Sequence, residues 1–386
     1  MPEWKHGIFG STSDAGPRPV TVAPTSFSVL IGTAPDADTD AFPLNKPVLI
    51  VGDKRLAAKL DMVGNGEGFL PDAVEAVFDQ KRGTIAVIRV EKGADDAATI
   101  TNIIGGTDGA TGARSGMEAL LDVQALTGLK PRLLACAFST EQAVLTKLMT
   151  YADRFRAMVY ADCPGTTYAE AVAYKALWGE KRLELCWPAH KNVHNRTVPF
   201  SAFRLGIEIQ KDQTKGEEYS ASGSNRLIRG SLGPVVPIDY IDGDTNCMAH
   251  LLNFNRITTA IMDEGLRTWG NLTTSADAKW QFAAHVRVND VILDAIAAGL
   301  KWARDRKLGK TFVEDVLETI DLFGQQETKA GNLYGLEVYA DPDLNSPDQI
   351  LAGNFYVDYD FTPPGIAQHI SVTSHYVNDF AKAIFK

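Results

Sequence analysis

The chain has 386 residues with 45% hydrophobic and 22% charged side chains, a composition that supports folded cores and favours two or more domains. Its formal net charge is −10, which argues against a general binder of nucleic acid or anionic membranes, because such proteins need basic surfaces. Four cysteines cannot form a disulfide framework, and neither a signal peptide nor an apolar run of about 18 residues is found. We therefore expect a protein made in the cytoplasm without membrane insertion.

Residues 1–22 are predicted to form an extended N-terminal arm, because glycine and proline recur there and no helical period develops, and a frayed terminus is the alternative that the composition leaves open. After the arm, short apolar runs alternate with amphipathic segments, a pattern typical of an α/β domain with a largely parallel sheet. We expect this domain to span residues 23–237. The predicted strands are residues 20–22, 27–32, 47–51, 85–90, 132–136, 157–161 and 183–187. The predicted helices are residues 54–60, 72–78, 116–125, 141–155 and 168–178.

A second domain, of the α+β class, is predicted for residues 238–364. Glycine, serine and proline crowd residues 220–237 and mark the boundary. The predicted elements beyond it are helices at residues 247–256, 257–263, 280–306 and 311–323, and strands at residues 336–339 and 354–361. After Pro363-Pro364-Gly365, an alternating segment at residues 367–373 stands apart and predicts a C-terminal arm over residues 365–386.

Both arms are unfavourable in a monomer, because each exposes unpaired backbone groups and apolar side chains. Addition of the arms as strands to sheets of other chains satisfies those groups. Such head-to-tail exchange does not have to close, so it builds helical assemblies.

No enzyme site is identified in the sequence. The glycine-rich segments at residues 64–68 and 105–112 match neither a dinucleotide fingerprint nor a P-loop, and we expect no cofactor. Cys186, His190 and His194 have a spacing that suits zinc but lack an evident fourth ligand. Cys163 is the only thiol expected in an exposed loop. An α/β enzyme of unknown substrate remains a remote alternative.

A cluster of opposite charges falls on the predicted helices of the second domain. The basic residues are Lys301, Arg304, Arg306, Lys307 and Lys310. The acidic residues that follow include Glu314, Asp315 and Glu318. Helix dipoles account for part of this order, since cations favour the end of one helix and anions the start of the next. The cations can also form a docking patch for another protein.

The segment Arg267-Thr268-Trp269-Gly270-Asn271-Leu272-Thr273 resembles the R-x-W-G-N-R-T element of contractile tail sheath proteins from phages and R-type pyocins. Leu272 departs from the usual basic residue, which puts in doubt an ion pair at that position. Further resemblance to the family covers most of the chain and is strongest from Asp239 onward. Matching segments are residues 6–8, 42–49, 242–261, 298–303, 337–346 and 358–364.

The resemblance implies a structural subunit without a cofactor. In this family, sheath subunits form stacked hexameric rings in a six-start helix around a tail tube, together with baseplate and tail terminator proteins. Contraction drives the tube through the target envelope. The resemblance also implies an outer α/β domain, a tube-proximal α+β domain, and arms that exchange strands between subunits. We expect the protein in the virion tail after assembly in the host cytoplasm. A tailocin or another contractile injection system is the alternative setting.

The resemblance, together with the alternating patterns, assigns two sets of residues to assembly. The residues predicted to take part in strand exchange between subunits are His6, Gly7, Ile8, Phe9, Phe355, Val357, Tyr359, Phe361, Ile370 and Val372. The residues predicted to face the tube are Lys301, Arg304, Arg306, Lys307, Lys310, Glu314, Asp315 and Glu318.

Overall fold

The computed structural model describes residues 20–378, 380 and 384. The strands are β1 Ser28–Thr33, β2 Pro47–Val51, β3 Thr84–Val90, β4 Leu133–Cys136, β5 Met158–Asp162, β6 Leu183–Cys186, β7 His190–Asn192, β8 Thr197–Val198, β9 Ser231–Pro234, β10 Ile257–Met262, β11 Leu266–Trp269, β12 Gly335–Tyr339 and β13 Asp358–Thr362. The helices are α1 Lys54–Ala58, α2 Leu70–Gln80, α3 Asp96–Ile104, α4 Leu120–Thr127, α5 Gln142–Phe155, α6 Tyr168–Lys175, α7 Phe200–Asp212, α8 Met248–Phe254, α9 Ala283–Gly299, α10 Lys310–Ala330 and α11 Pro347–Leu351. Short 3-10 turns precede α4 and follow α9.

A largely parallel sheet of eight strands forms the centre of the molecule, in the order β11-β10-β6-β5-β4-β1-β3-β2. The strands from β10 to β3 pair in parallel, and β2 and β11 pair antiparallel at the two ends. Buried apolar strands such as β1 are typical of a sheet with helices on both faces. The predicted α/β class with a largely parallel sheet is confirmed.

The predicted helix at residues 257–263 is wrong, because these residues form β10. Five of the six residues of β10 are buried, and its sequence, Ile-Thr-Thr-Ala-Ile-Met, lacks the strict alternation of apolar and polar residues that marks a half-buried strand. Since β10 and β11 extend the central sheet, that sheet continues past residue 237 to Trp269. The glycine-rich segment at residues 220–237, which was expected to mark a domain boundary, contains β9, and the chain then returns to the central sheet. Residues 20–22 form no strand.

Hydrophobic cores of different sizes hold the described elements together. Two large cores cover the two faces of the central sheet. A smaller third core joins α9, α10, β12 and β13, and its buried members include Val288, Ile292 and Phe323. None of the described helices is long and apolar enough to cross a membrane.

Candidate functional site

Strands β12 and β13 form a separate two-stranded antiparallel sheet, which pairs Gly335 with Thr362 and Tyr339 with Asp358. One face of this sheet lies on α10 and the third core, through Leu336, Tyr359 and Phe361. Within the described part of the chain, neither outer edge of this sheet has a strand partner. Both edges therefore present backbone N–H and C=O groups that can pair with another strand.

The structure places the strand-exchange residues of this region partly inside their own subunit. The observed β13 begins at Asp358, so Phe355 and Val357 precede it, and Phe355 packs against Phe312 with ring centroids 6.1 Å apart. The side chains of Tyr359 and Phe361 pack on the third core of the same chain. These side chains fix the strand in place, and its outer backbone edge has no strand partner within the described residues.

The C-terminal arm leaves the third core as a chain without regular secondary structure. Residues 365–378 contain no helix or strand. Ile370 and Val372 are 80% and 88% exposed, and Tyr376 is 94% exposed. In an extended chain, Ile370 and Val372 lie on one face, because side chains alternate with a period of two. This unpaired apolar row has the pattern of a strand that lacks its sheet.

The base of this arm is anchored by polar contacts. His285 Nε2 lies 3.1 Å from the carbonyl oxygen of Pro364, and Gln368 Nε2 donates to Asn271 Oδ1 at 2.8 Å. Asn271 in turn donates from Nδ2 to Ser222 Oγ at 3.0 Å. The arm therefore starts from a fixed point, and its unanchored part begins after Gln368.

The tryptophan-glycine-asparagine motif supplies this anchor. Gly270 has φ +136°, and a Cβ at this position would lie 2.7 Å from the side-chain amide of Asn253 and 2.8 Å from the Cα of Thr258. With its amide oriented to satisfy both partners, Asn253 accepts from Trp269 Nε1 at 2.8 Å. Glycine is thus required by both backbone conformation and close packing. The motif turns the chain sharply after β11 and directs Asn271 toward the arm.

The N-terminal site residues His6, Gly7, Ile8 and Phe9 lie outside the described residues. The described chain starts at Val20, which is 6% exposed, and a Cβ on Gly299 would lie 2.5 Å from Val20 Cγ2. Residues 20–22, expected in the arm, therefore belong to the folded body. The N-terminal chain enters this body at the third core, which also carries β12, β13 and the base of the C-terminal arm.

The charged residues expected to face the tube form an exposed band. All of Lys301, Arg304, Arg306, Lys307, Lys310, Glu314, Asp315 and Glu318 are exposed. The guanidinium of Arg306 lies 5.5 Å from the centroid of the Trp302 ring, and Lys310 pairs with Glu314 at 3.8 Å. Arg304, Arg306 and Lys307 lie in the connection before α10, so they are not on a helix end as predicted. The band is exposed to solvent, and its basic residues precede its acidic residues along the chain.

Sequence reasoning missed a buried cluster of six charged side chains between the central sheet, α7 and α9. Its members are Glu184, Arg204, Glu208, Lys211, Asp212 and Arg287, and their side chains are at most 5% exposed. Burial alone would raise the pKa of Glu208, but Lys211, Arg204 and Arg287 together hold it well below the usual range. The available signal was the i,i+3 and i,i+4 spacing of Arg204, Glu208 and Lys211 on α7, a helix the sequence analysis did not identify.

The residues considered for chemistry are dispersed. Cys163 is buried, against expectation, and burial raises its pKa. His190 is stacked on Phe200 with ring centroids 4.3 Å apart, while His194 contacts Glu75 at the surface. Among the described residues, no group of three or more histidine, cysteine or acidic side chains is arranged to hold a metal ion.

Comparison with known proteins identifies the family to which this architecture belongs. The family described as "Phage tail sheath C-terminal domain" matches residues 275–376. A prophage protein of Pseudomonas aeruginosa strain UCBPP-PA14, described as a major tail sheath protein, is 38% identical over 93% of each chain. The tail sheath protein of Escherichia phage P2 is 30% identical over 94% of this chain and 93% of its own. The contracted helical sheath of the anti-feeding prophage has the same fold, with a TM-score of 0.72 at 18% identity over 96% of this chain and 98% of that one. The chain belongs to the tail sheath protein family.

Proposed function

We propose that this chain is the structural subunit of a contractile tail sheath, which polymerises as stacked hexameric rings around a rigid tube and contracts to drive the tube through a cell envelope. Membership of the tail sheath family supports this proposal. In this role the subunit contacts further copies of itself, the tail tube, the baseplate and the tail terminator. It is assembled in the host cytoplasm and becomes part of the virion.

The sheet formed by β12 and β13 carries the proposal. It has two edges without a strand partner among the described residues, and Val20, the first described residue, shares the third core with β13. Two arms and two edges match in number, so each subunit can receive one arm on each edge. The segments that we assign as added strands are residues 6–9 and 370–372. Strand addition of this kind forms main-chain hydrogen bonds between chains and leaves each folded body intact.

The decisive experiment is expression of the chain alone, followed by negative-stain electron microscopy. Hollow tubes with sixfold end views are expected. Deletion of residues 1–19, which retains the buried Val20, and deletion of residues 369–386, which retains the anchoring Gln368, should each give a folded protein without tubes. Normal tubes from either truncated protein would refute the arm assignment.

A matched pair of substitutions tests the backbone pairing itself. Val372→Pro removes an N–H group, and Val372→Thr keeps that group in a strand-forming residue. Successive N–H groups point to opposite sides of a strand, so only one of two adjacent residues donates to a given neighbouring strand. The variant Ser371→Pro therefore tests the other register. One of the two proline variants should abolish tubes, whereas Val372→Thr should retain them. Val372 is exposed in the subunit, so none of these changes should alter its fold.

The exposed charged band supports a tube-facing surface. Exposed charges between complementary surfaces act over roughly 8–10 Å at physiological salt and weaken as salt rises. Reversing Lys301, Arg304 and Lys307 to glutamate should lower co-sedimentation with the tube protein and leave tube formation by the sheath chain itself unchanged. Unaltered binding of the tube protein would remove this surface from the assignment.

A tailocin or another contractile injection system uses the same mechanics, and the fold shared with the anti-feeding prophage sheath is compatible with that setting. Purified particles with or without a capsid separate the two settings. An α/β enzyme would need a ligand site at the carboxyl ends of the parallel strands. A cavity of about 420 Å³ is present there, but its buried carboxylate, Asp162, accepts hydrogen bonds from Ser201 and Ser139. Family membership therefore favours the structural role.

A further inference from the structure

A cavity of about 590 Å³ lies beside the base of the C-terminal arm. The end of α8, the motif after β11, and arm residues 366–368 form its walls. Phe254 stands at this cavity with 78% of its surface exposed. Its lining includes histidine, asparagine, serine and arginine side chains beside apolar ones, but no aspartate or glutamate.

Arg256 is the residue in this cavity that its own subunit leaves unsatisfied. Its Nη1 atom is buried and has no hydrogen-bond partner among the described residues, and no ion pair involves its guanidinium there. A buried donor without a partner costs about 1–3 kcal/mol. The backbone of Arg256 is also in the left-handed region, with φ +59°, which a side chain with a Cβ rarely adopts. Such features persist where they serve an interaction.

The electrostatic environment of Arg256 favours an anion. Burial lowers the pKa of Lys175, and the positive charge of Arg256 lowers it further, so the two cations lie close enough to repel each other. A carboxylate placed between or beside them removes this repulsion and satisfies the free guanidinium N–H. Arginine binds carboxylates through two parallel hydrogen bonds, which suits a single acidic side chain better than a diffuse charge.

We propose that Arg256 is a docking site for an aspartate or glutamate side chain of a second copy of this chain. This inference rests on the proposed sheath function. The second copy is the favoured occupant because residues 366–368, which form one wall of the cavity, belong to the arm that is added to a neighbouring subunit in the proposed sheath, and because the chain carries 48 acidic against 38 basic residues. The ion pair is then formed only on assembly, and Phe254 adds apolar contact at the same interface.

Three proteins test the proposal: the wild type, Arg256→Met and the charge-retaining control Arg256→Lys. In the unassembled protein, Arg256→Met should leave the melting temperature unchanged or raised, because it removes a donor that has no partner. In sedimentation and electron microscopy, the same variant should form at least about tenfold less tube at equal protein concentration, the cost of about 1.4 kcal/mol per contact. Arg256→Lys should restore part of the assembly.

Each remaining outcome has a defined meaning. A clear loss of melting temperature in Arg256→Met would show that Arg256 supports its own subunit, and tubes at the wild-type level from that variant would also overturn the proposal. Absence of tubes from the wild type, even with the tube protein co-expressed, would instead refute the sheath function and this inference with it.

The partner carboxylate can be identified by zero-length cross-linking. A carbodiimide joins lysine amines to carboxylates in direct contact, so tubes of Arg256→Lys should yield a covalent dimer with the new linkage at position 256. Wild-type tubes provide the background. A linkage that forms within one chain, or already in the unassembled protein, would show that the acidic partner belongs to the same subunit and would overturn the proposal.

Discussion

Replacing Arg287 by methionine should strongly destabilise the subunit, because Arg287 neutralises buried carboxylates between α7 and α9. Its Nη1 donates to Glu208 Oε2 at 2.9 Å and to Asp212 Oδ1 at 2.7 Å, and its Nη2 donates to the carbonyl oxygen of Thr25 at 3.1 Å. The side chain of Arg287 is 5% exposed, and that of Asp212 is fully buried. Methionine fills similar space but provides neither charge nor donors.

The magnitude follows from the charge count of the cluster. Three cations face three anions in the native protein, so the substitution leaves one buried negative charge without compensation. Removing one partner of a buried ion pair costs about 3–5 kcal/mol. The double variant Arg287→Met/Asp212→Asn restores the balance of charges at two of each sign. It should recover about half of the loss or more, because the uncompensated charge is what makes the single variant unstable.

Equilibrium urea unfolding at pH 7, followed by circular dichroism, measures these differences on the unassembled chain. Lys310→Met is the matched surface control, because Lys310 is 90% exposed in its pair with Glu314, and it should show no measurable change. A loss below about 1 kcal/mol for Arg287→Met would refute the argument, since it would mean that water compensates the carboxylates in the variant. Failure of Asp212→Asn to rescue the variant would show that packing at Arg287, and not charge, sets the cost.

Three further results are expected. Gly270→Ala should destabilise the protein by about 1–3 kcal/mol in the same unfolding assay, because φ +136° and the contact with Asn253 both oppose a Cβ, and an unchanged midpoint would contradict this. Burial lowers the pKa of His190 to about 3, so between about pH 6.5 and pH 3 the unfolded chain binds a proton that the folded chain excludes. In this window the free energy of unfolding should fall by about 1.4 kcal/mol for each unit of decreasing pH. The variant His190→Gln should lack this contribution. The four buried cysteines, Cys163 included, should resist alkylation of the native protein, and rapid labelling followed by mass spectrometry would contradict the structure.

The sequence was sufficient to predict elements whose local pattern is decisive. Buried strands such as β1 and β3 are short apolar runs between turns, and α5 has a clear helical period. Helix α7 was missed because it is buried on almost every side, Arg204 and Glu208 included, so no polar face marks its period. Strand β10 was taken for a helix because its burial removed the alternation that distinguishes strands.

The proposed assembly surfaces also include some features that the sequence predicted and others that it did not. The C-terminal arm was predicted from the stiff break at Pro363-Pro364 and from the alternating side chains that follow it, and Ile370 and Val372 are exposed in the subunit. The anchor at Asn271 and the unsatisfied guanidinium of Arg256 were not predictable, because both depend on contacts between segments distant in sequence. A sequence motif identifies a set of neighbouring residues, whereas the distant residues that they contact become known only from the folded structure.

The distribution of buried charge indicates which parts of the subunit stay rigid when the sheath rearranges. Arg287 joins helix α9 to α7, Asp290 pairs with Arg182 just before β6, and Asp294 pairs with Lys130 and Arg132 just before β4. Separating these partners in the interior would expose several unpaired charges, at about 3–5 kcal/mol for each broken pair. The C-terminal arm beyond Gln368 has no comparable attachment among the described residues. Motion in the proposed sheath is therefore expected to be rigid-body rotation of whole subunits, since the described part of the C-terminal arm can change direction without breaking buried pairs.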